Sequence, residues 1–353
     1  MTDGSSGGND EVPPSSPRLT GIREVAERAG VALSSVSRAL SGHPDVSTVM
    51  RNRVLDAAAA VGYEPDLLAQ SLRRGATMTI GFVVGDISNP LLSQIALGAE
   101  TKLRSAGYSM LLTNSVNEPG LDAQHIRLLR RRRVDGLLLS LADEAEEDTL
   151  TALQQAKIPS VLIDRDLPGQ AFAGAVLSDH SAGVTTAVEH LLALGHRRIG
   201  LVNGNPRVRP ARERDRALRR ACRRHPEVMA MVRSGSYSAS HGEAATASLL
   251  AAQVRPTAII AGGNQILTGV LRALSRAGLT APSDISIVTC DDVPLSEFID
   301  PPVATITRDP EEMGSVAAEM LLEQLRGRSA RSVILPVQFR PTASCGPPAS
   351  LRP

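Results

Sequence analysis

Aromatic side chains are the scarcest material in this sequence: no Trp, three Tyr and four Phe among 353 residues. A site that works by stacking rings has little to draw on. Cysteine is also rare. Cys222, Cys290 and Cys345 lie far apart without metal-ligand spacing, and an odd number of thiols in a chain of this size fits a reducing compartment. No apolar run is long enough to span a bilayer, so no membrane partner is expected. The opening residues, MTDGSSGGNDEVPPSSP, have neither a basic start nor an apolar segment, which reads against a signal peptide and for a cytoplasmic protein. Excess charge is missing too. With 38 Lys and Arg against 37 Asp and Glu, the formal net charge is +1, so any electrostatic footprint for nucleic acid must be local.

What is present is an ordinary globular composition, 42% hydrophobic and 21% charged, over a length that suggests two or three domains. Residues 1–18 are rich in Gly, Ser, Pro and Asp and have the composition of a disordered tail. From there the pattern becomes helical. Ile22, Val25, Ala26 and Ala29 recur at i, i+3, i+4, i+7, and Gly30 stops the run. VALSSVSRAL predicts a second short helix from Leu33 to Leu40, closed by Gly42. Ser47 is a good N-cap for a third, with Val54, Leu55, Ala58 and Val61 on its apolar side and Gly62 at its end. Three helices over residues 19–64, with a tight Gly-containing turn between the first two, read as a helix-turn-helix domain. Pro65 then interrupts, and DLLAQSLRRG forms an isolated helical segment within a 65–76 linker, too short to hold as a free helix.

From Thr79 strands and helices alternate. TIGFVVG, YSMLLTNS, VDGLLLS and IPSVLID read as strands, and a second set opens with GAVLSD and runs through RRIGLVNG, AIIAGG and ISIVTCDD. Continuous apolar strands of this kind indicate parallel sheets covered on both faces. The expected α/β core, residues 77–353, is doubly wound in two lobes: 77–176 with 306–335, and 177–305 with 336–353. A cleft between the lobes, at the carboxyl ends of the strands, is the natural small-molecule site.

In a helix-turn-helix the second helix enters the major groove, N-terminal residues first. Here those are Leu33, Ser34 and Ser35, then Ser37 and Arg38. Serine can donate to phosphate or base edges and arginine can pair with guanine, although a solvated face of a small bundle fits the periodicity equally well. RRRR at 130–133 and the arginines at 216, 219, 220, 223 and 224 read as solvated faces. His180, His190 and His196 lack a carboxylate or cysteine cluster at ligand spacing, and neither a Walker-type loop nor a nucleophile elbow is present, so no metal, cofactor or enzyme activity is expected.

IREVAERAGVALSSVSRALSGHPDVS, RVLDAAAAVGYEPDLLAQSLRRG and TIGFVVGDISNP resemble the lactose/galactose-repressor family of bacterial transcription regulators. So do AVEHLLALGHRRIGLV, ALSRAGLTAPSDISIVTCDDVPLSEFIDPPVATI and EEMGSVAAEMLLEQL, which extend the resemblance in unbroken order from about residue 20 to 345. It implies a periplasmic-binding-protein-like core and a cytoplasmic, nucleoid-associated homodimer or tetramer. Its partners would be double-stranded operator DNA and a small polar effector, a carbohydrate or derivative among the candidates. Leu33 and Ser34 stand where the family chooses among bases, Arg38 is a further base contact, and Ser35 and Ser37 lie on the phosphate side. Residues 66–74 match a hinge helix in which Leu72 wedges into the minor groove, Leu68 and Ala69 pack near the dyad, and Arg73 and Arg74 lie near phosphate. Asp86, Leu91, Leu92, Asp164 and Arg165 face the cleft from one lobe, with Arg214, Gly263, Asn264 and Asp291 across it.

Four departures matter. Ala32 replaces a capping Ser, Asp66 replaces Asn, Asn264 stands where Asp is common, and Leu91 and Leu92 replace a ring, which argues against an ordinary pyranose. A solute-binding protein built on the same core without DNA reading is the rival reading, and a cleft enzyme is a second. The helical domain and the missing export signal count against the former.

Overall fold

A computed structural model describes residues 21–41, 43–63, 75–167, 173–292 and 299–349. The expected tail, Gly42 and the hinge residues Asp66, Leu68, Ala69, Leu72, Arg73 and Arg74 lie outside them. Two compact units divide the chain, Met1–Thr77 and Met78–Pro353.

The first unit is built from α1 (Ile22–Ala29), α2 (Leu33–Leu40) and α3 (Thr48–Ala60). Gly30 ends α1 in the left-handed conformation, φ 61, and its N–H returns to Ala26 and Glu27. Arg53 on α3 donates to the Gly30 carbonyl at 3.3 Å and so ties the turn to the third helix. Val25, Ala26, Ala29, Val36, Ala39, Val54, Ala57 and Ala58 form the core. Leu55, expected on the apolar side, is instead 48% exposed, and Ala57 takes its place. The hundred-degree step per residue puts Leu55 beside Val54 rather than behind it.

The second unit carries β1 (Thr79–Val84), α4 (Pro90–Ser105), β2 (Ser109–Asn114), α5 (Pro119–Arg131), β3 (Gly136–Leu139), α6 (Glu147–Ala156), β4 (Ser160–Ile163) and β5 (Ala173–Ser178). Next come α7 (His180–Ala193), β6 (Arg198–Asn203), α8 (Arg209–Arg224), β7 (Met229–Ser234), α9 (Ala239–Leu250), β8 (Ala258–Ala261), α10 (Asn264–Arg276), β9 (Ser286–Cys290) and β10 (Ala304–Thr307). α11 (Pro310–Leu325), β11 (Ser332–Leu335) and β12 (Gln338–Arg340) complete it.

The strands form two six-stranded sheets, ordered β11-β5-β4-β3-β1-β2 and β12-β10-β9-β8-β6-β7, parallel throughout except for β12. Both are doubly wound, and their central strands are buried on both faces. GAVLSD, expected from sequence to open the second lobe, instead belongs to the first. Its strand β5 pairs in parallel with β4 and β11, and the chain crosses only after Ser178. The return crossing follows Thr307, and a third lies between β11 and β12, so the expected boundaries at 176 and 305 each move about two residues outward.

In each lobe a helix pair comes to backbone contact. In the first, a Cβ on Gly314 of α11 would overlap the Ile95 carbonyl oxygen of α4, and one on Gly98 would overlap that of Glu311. In the second, Gly269 and Gly242 play the same part between α10 and α9. Overpacking of this kind costs roughly 1–3 kcal/mol. Gly314→Ala is expected to lower core stability by at least that much in denaturant unfolding, whereas Gly120→Ala, on α5 with open space around it, should be neutral or slightly stabilising.

Candidate functional site

On the first unit, α2 buries Val36 and Ala39 and turns its other side outward. Leu33, Ser34 and Arg38 are exposed there, while Ser35 and Ser37 are half-buried. Ala32 at the N-cap makes no side-chain cap bond, in contrast to Ser47, whose hydroxyl accepts from the Met50 N–H at the start of α3. The outward set is thus carried on a helix whose first turn lacks the usual side-chain acceptor.

In the second unit a cavity opens between the two sheets, with about 60 Å³ within reach of the centre of a water-sized sphere. Asp86, Leu91, Leu92, Asp164, Arg165, Arg214, Gly263 and Asp291 all line it, which brings eight of the nine cleft residues named from sequence to one place. Asn264 does not. Its amide nitrogen donates across the lobes to Asn89 Oδ1 at 2.9 Å, and its own oxygen accepts the Gln265 N–H, so Gln265 faces the cavity in its stead.

Asp164 and Asp291 stand at the ends of β4 and β9 in matching places of the two lobes, both with left-handed backbone, φ 53 and 68. Such strain in non-glycine residues gathers where side chains must be aimed. Asp164 is buried, and four donors fill its lone pairs. His180 Nε2 lies 2.8 Å away, the Ser178 N–H 3.1 Å, an Arg209 nitrogen 3.2 Å, and Arg308 is bonded as well. Arg308 also gives Nε to Asp291 at 2.9 Å, so one guanidinium bridges the two lobes' carboxylates. Arg214, fully buried, donates to the Gly262 carbonyl at 2.6 Å and lies 3.5 Å from Asp291.

Sequence reasoning missed Arg308, which directly follows a buried strand at a crossing, and it missed the pairing of His180 with Asp164. It also expected no ring in the cleft. Tyr237 supplies one from the loop before α9, lying against Gly204 and Gly263.

Further polar contacts join the lobes around this centre. Gln265 donates to Asp86 at 3.0 Å, the Arg209 N–H to Glu144 at 2.7 Å, and Asn205 to the Ala142 carbonyl at 3.3 Å; Arg212 pairs with Glu144 and Arg207 with Asp143. The arginines at 216, 219, 220, 223 and 224 are exposed on α8, and those at 130–133 are exposed at the end of α5.

With this geometry in place, comparison with known proteins decides the family. Residues 21–66 match the model described as bacterial regulatory proteins, lacI family, and residues 188–345 match a periplasmic binding protein-like domain. The chain is 30% identical over 322 residues to the HTH-type transcriptional repressor PurR of Actinobacillus pleuropneumoniae serotype 3, covering 91% of this chain and 95% of that one. The chain belongs to the lacI family of bacterial regulatory proteins. It is also 30% identical to the ribose operon repressor of Escherichia coli K12 over 86% of this chain and 92% of that one. Among solved structures, the lac repressor dimer bound to operator and the anti-inducer ONPF superposes with a TM-score of 0.81 at 26% identity, covering 93% of this chain and all of that one. Membership in this family supports the DNA-reading repressor over the solute-binding rival.

Burial drives His180 down to about 4, against the pull of Asp164, so it donates to Asp164 as a neutral imidazole. Burial opposes ionisation of Asp164, yet its bonds from His180 and Arg308 hold it well below the usual carboxylate range. The unfolded chain therefore takes up the His180 proton first as pH falls. Its contribution to stability is whole above about 6.5 and is lost as pH drops toward 4. Denaturant midpoints should fall between pH 7 and pH 5, and His180→Gln should flatten that fall; an unchanged slope in the variant would contradict a neutral buried imidazole.

Proposed function

We propose that this lacI-family protein is a transcriptional repressor that binds a near-palindromic operator as a homodimer and changes its grip when a small polar effector enters the cleft. The observation that carries the reading is the outward set Leu33, Ser34 and Arg38 on α2, held by a buried core whose turn Arg53 pins. An Arg on such a helix is suited to the O6 and N7 acceptors of guanine. Leu72, with Leu68, Ala69, Arg73 and Arg74, is the proposed minor-groove wedge and its flanks, and an apolar wedge there would bend the duplex at a cost of a few kcal/mol in unstacking. Dimerisation is supported by exposed apolar surface on an edge strand and the helix beside it: Leu111 and Leu112 on β2 and Leu97 on α4.

The cleft supports the effector half of the reading. Leu91 and Leu92 offer apolar contact, Tyr237 offers a ring face, and Arg165 and Arg214 offer donors, around a volume of monosaccharide rather than oligosaccharide scale. A solved lacI-family regulator from Enterococcus faecium holds ribose, with a TM-score of 0.67 at 28% identity over 76% of this chain. The protein would act in the bacterial cytoplasm at the nucleoid.

Selection of random duplexes by the purified full-length chain tests the reading. Retained sequences should share a near-palindrome, and Arg38→Ala should relax the preference at one position of each half-site by about 1–3 kcal/mol. Retention without a shared sequence, or a uniform loss on all duplexes in the variant, would contradict a base-reading role.

A further inference from the structure

The hydrogen-bonding capacity of the cavity is lopsided. Its acceptors of highest charge are already engaged: Asp164 by four donors, Asp291 by Arg308 and Arg214, Asp86 by Ser88 and Gln265. Its donors are not. Arg214 Nε and the Tyr237 hydroxyl are buried with no hydrogen-bond partner among the described residues. Arg165, which lines the cavity, gives Nε to the Leu141 carbonyl and one terminal nitrogen to the Asp164 carbonyl, so these two bonds leave its other terminal nitrogen unused. A guanidinium accepts nothing, and a buried donor left without an acceptor costs about 1–3 kcal/mol.

Charge points the same way. Four guanidiniums, those of Arg165, Arg209, Arg214 and Arg308, gather around two buried carboxylates, Asp164 and Asp291. The third carboxylate of the cavity, Asp86, meets hydroxyl and amide donors rather than a guanidinium. Each hydroxyl of a neutral sugar brings a proton that needs an acceptor, and of the carboxylates that would serve, Asp164 is filled while Asp291 and Asp86 are partly taken. An anionic oxygen brings none. Burial raises the Tyr237 phenol against the pull of Arg214 and Arg165, so it stays protonated and able to donate.

We propose, building on the regulator reading above, that the effector is an anion, a small molecule bearing a carboxylate or phosphate group seated against Arg165 and Arg214 with the Tyr237 hydroxyl as a further donor. Its charged oxygens would be held by a guanidinium from each lobe, and the leucines and ring would take its carbon skeleton.

Thermal unfolding of the full-length chain tests this with three probes at matched ionic strength set by chloride: inorganic phosphate, glycolate and D-ribose. Phosphate, glycolate or both should raise the melting temperature saturably and by more than D-ribose does. The rise should disappear in Arg165→Met and in Arg214→Met and survive in part in Arg165→Lys, which keeps the cation; Arg223→Gln, on the exposed side of α8, should behave as wild type. A rise with phosphate alone assigns a phosphate ester, and one with glycolate alone a carboxylate. The proposal is overturned if neither anion exceeds chloride in the wild-type chain, if the rise persists in both Met variants, or if D-ribose stabilises more than either anion. A near-palindrome recovered in the duplex selection would leave the regulator reading standing through any of these results.

Discussion

The buried charges of the core are organised around one carboxylate. Asp164 lies out of water at the end of β4, and an ion there is tolerated only when paired and fully hydrogen-bonded. Two of its partners come from two of the three crossings of the chain between lobes: His180 just after the first and Arg308 just after the second. Because Arg308 also holds Asp291, the two lobes share one guanidinium beside the return crossing. Removing one partner from such a set typically costs 3–5 kcal/mol, since the other charge is left buried and unpaired.

In the proposed regulator this placement would give the cleft a physical means of reporting on a ligand. The two lobes are joined at three crossings, and donors of the second lobe, Asn264, Gln265 and the Arg209 N–H, bond to Asn89, Asp86 and Glu144 of the first and hold this arrangement. A ligand that engages Arg165 and Arg214 adds to the same set of charges. Its effect on the lobes equals its difference in affinity for their arrangements and no more.

Much of this was legible in the sequence because it rests on local pattern. Apolar spacing in IREVAERA and the N-cap at Ser47 locate the reading domain, and the buried strands TIGFVV and ISIVTC place Asp86 and Asp291 at carboxyl ends that face a cleft. What was missed depends on strand pairing. Asp164 meets His180 only because β5 lies beside β4 with Ile163 opposite Val176, a register that a separation of 16 residues does not announce. Arg308 sits two residues beyond the PPVATI run that carries the family resemblance, and its reach to the first lobe follows from where the chain crosses. Tyr237 escaped notice because its ring comes from the opposite lobe to Leu91 and Leu92, where the cleft ring was sought.

In the proposed regulator, the ion set around Asp164 would pass the arrival of an effector to operator binding through the arrangement of the lobes. Operator affinity of Arg308→Gln, measured beside wild type after thermal unfolding confirms a folded core, tests it most directly. A shift of roughly 5–150-fold is the range expected for coupling between distinct sites. Equal affinity in the two folded proteins would mean that the cleft network holds the core together without reporting to the DNA.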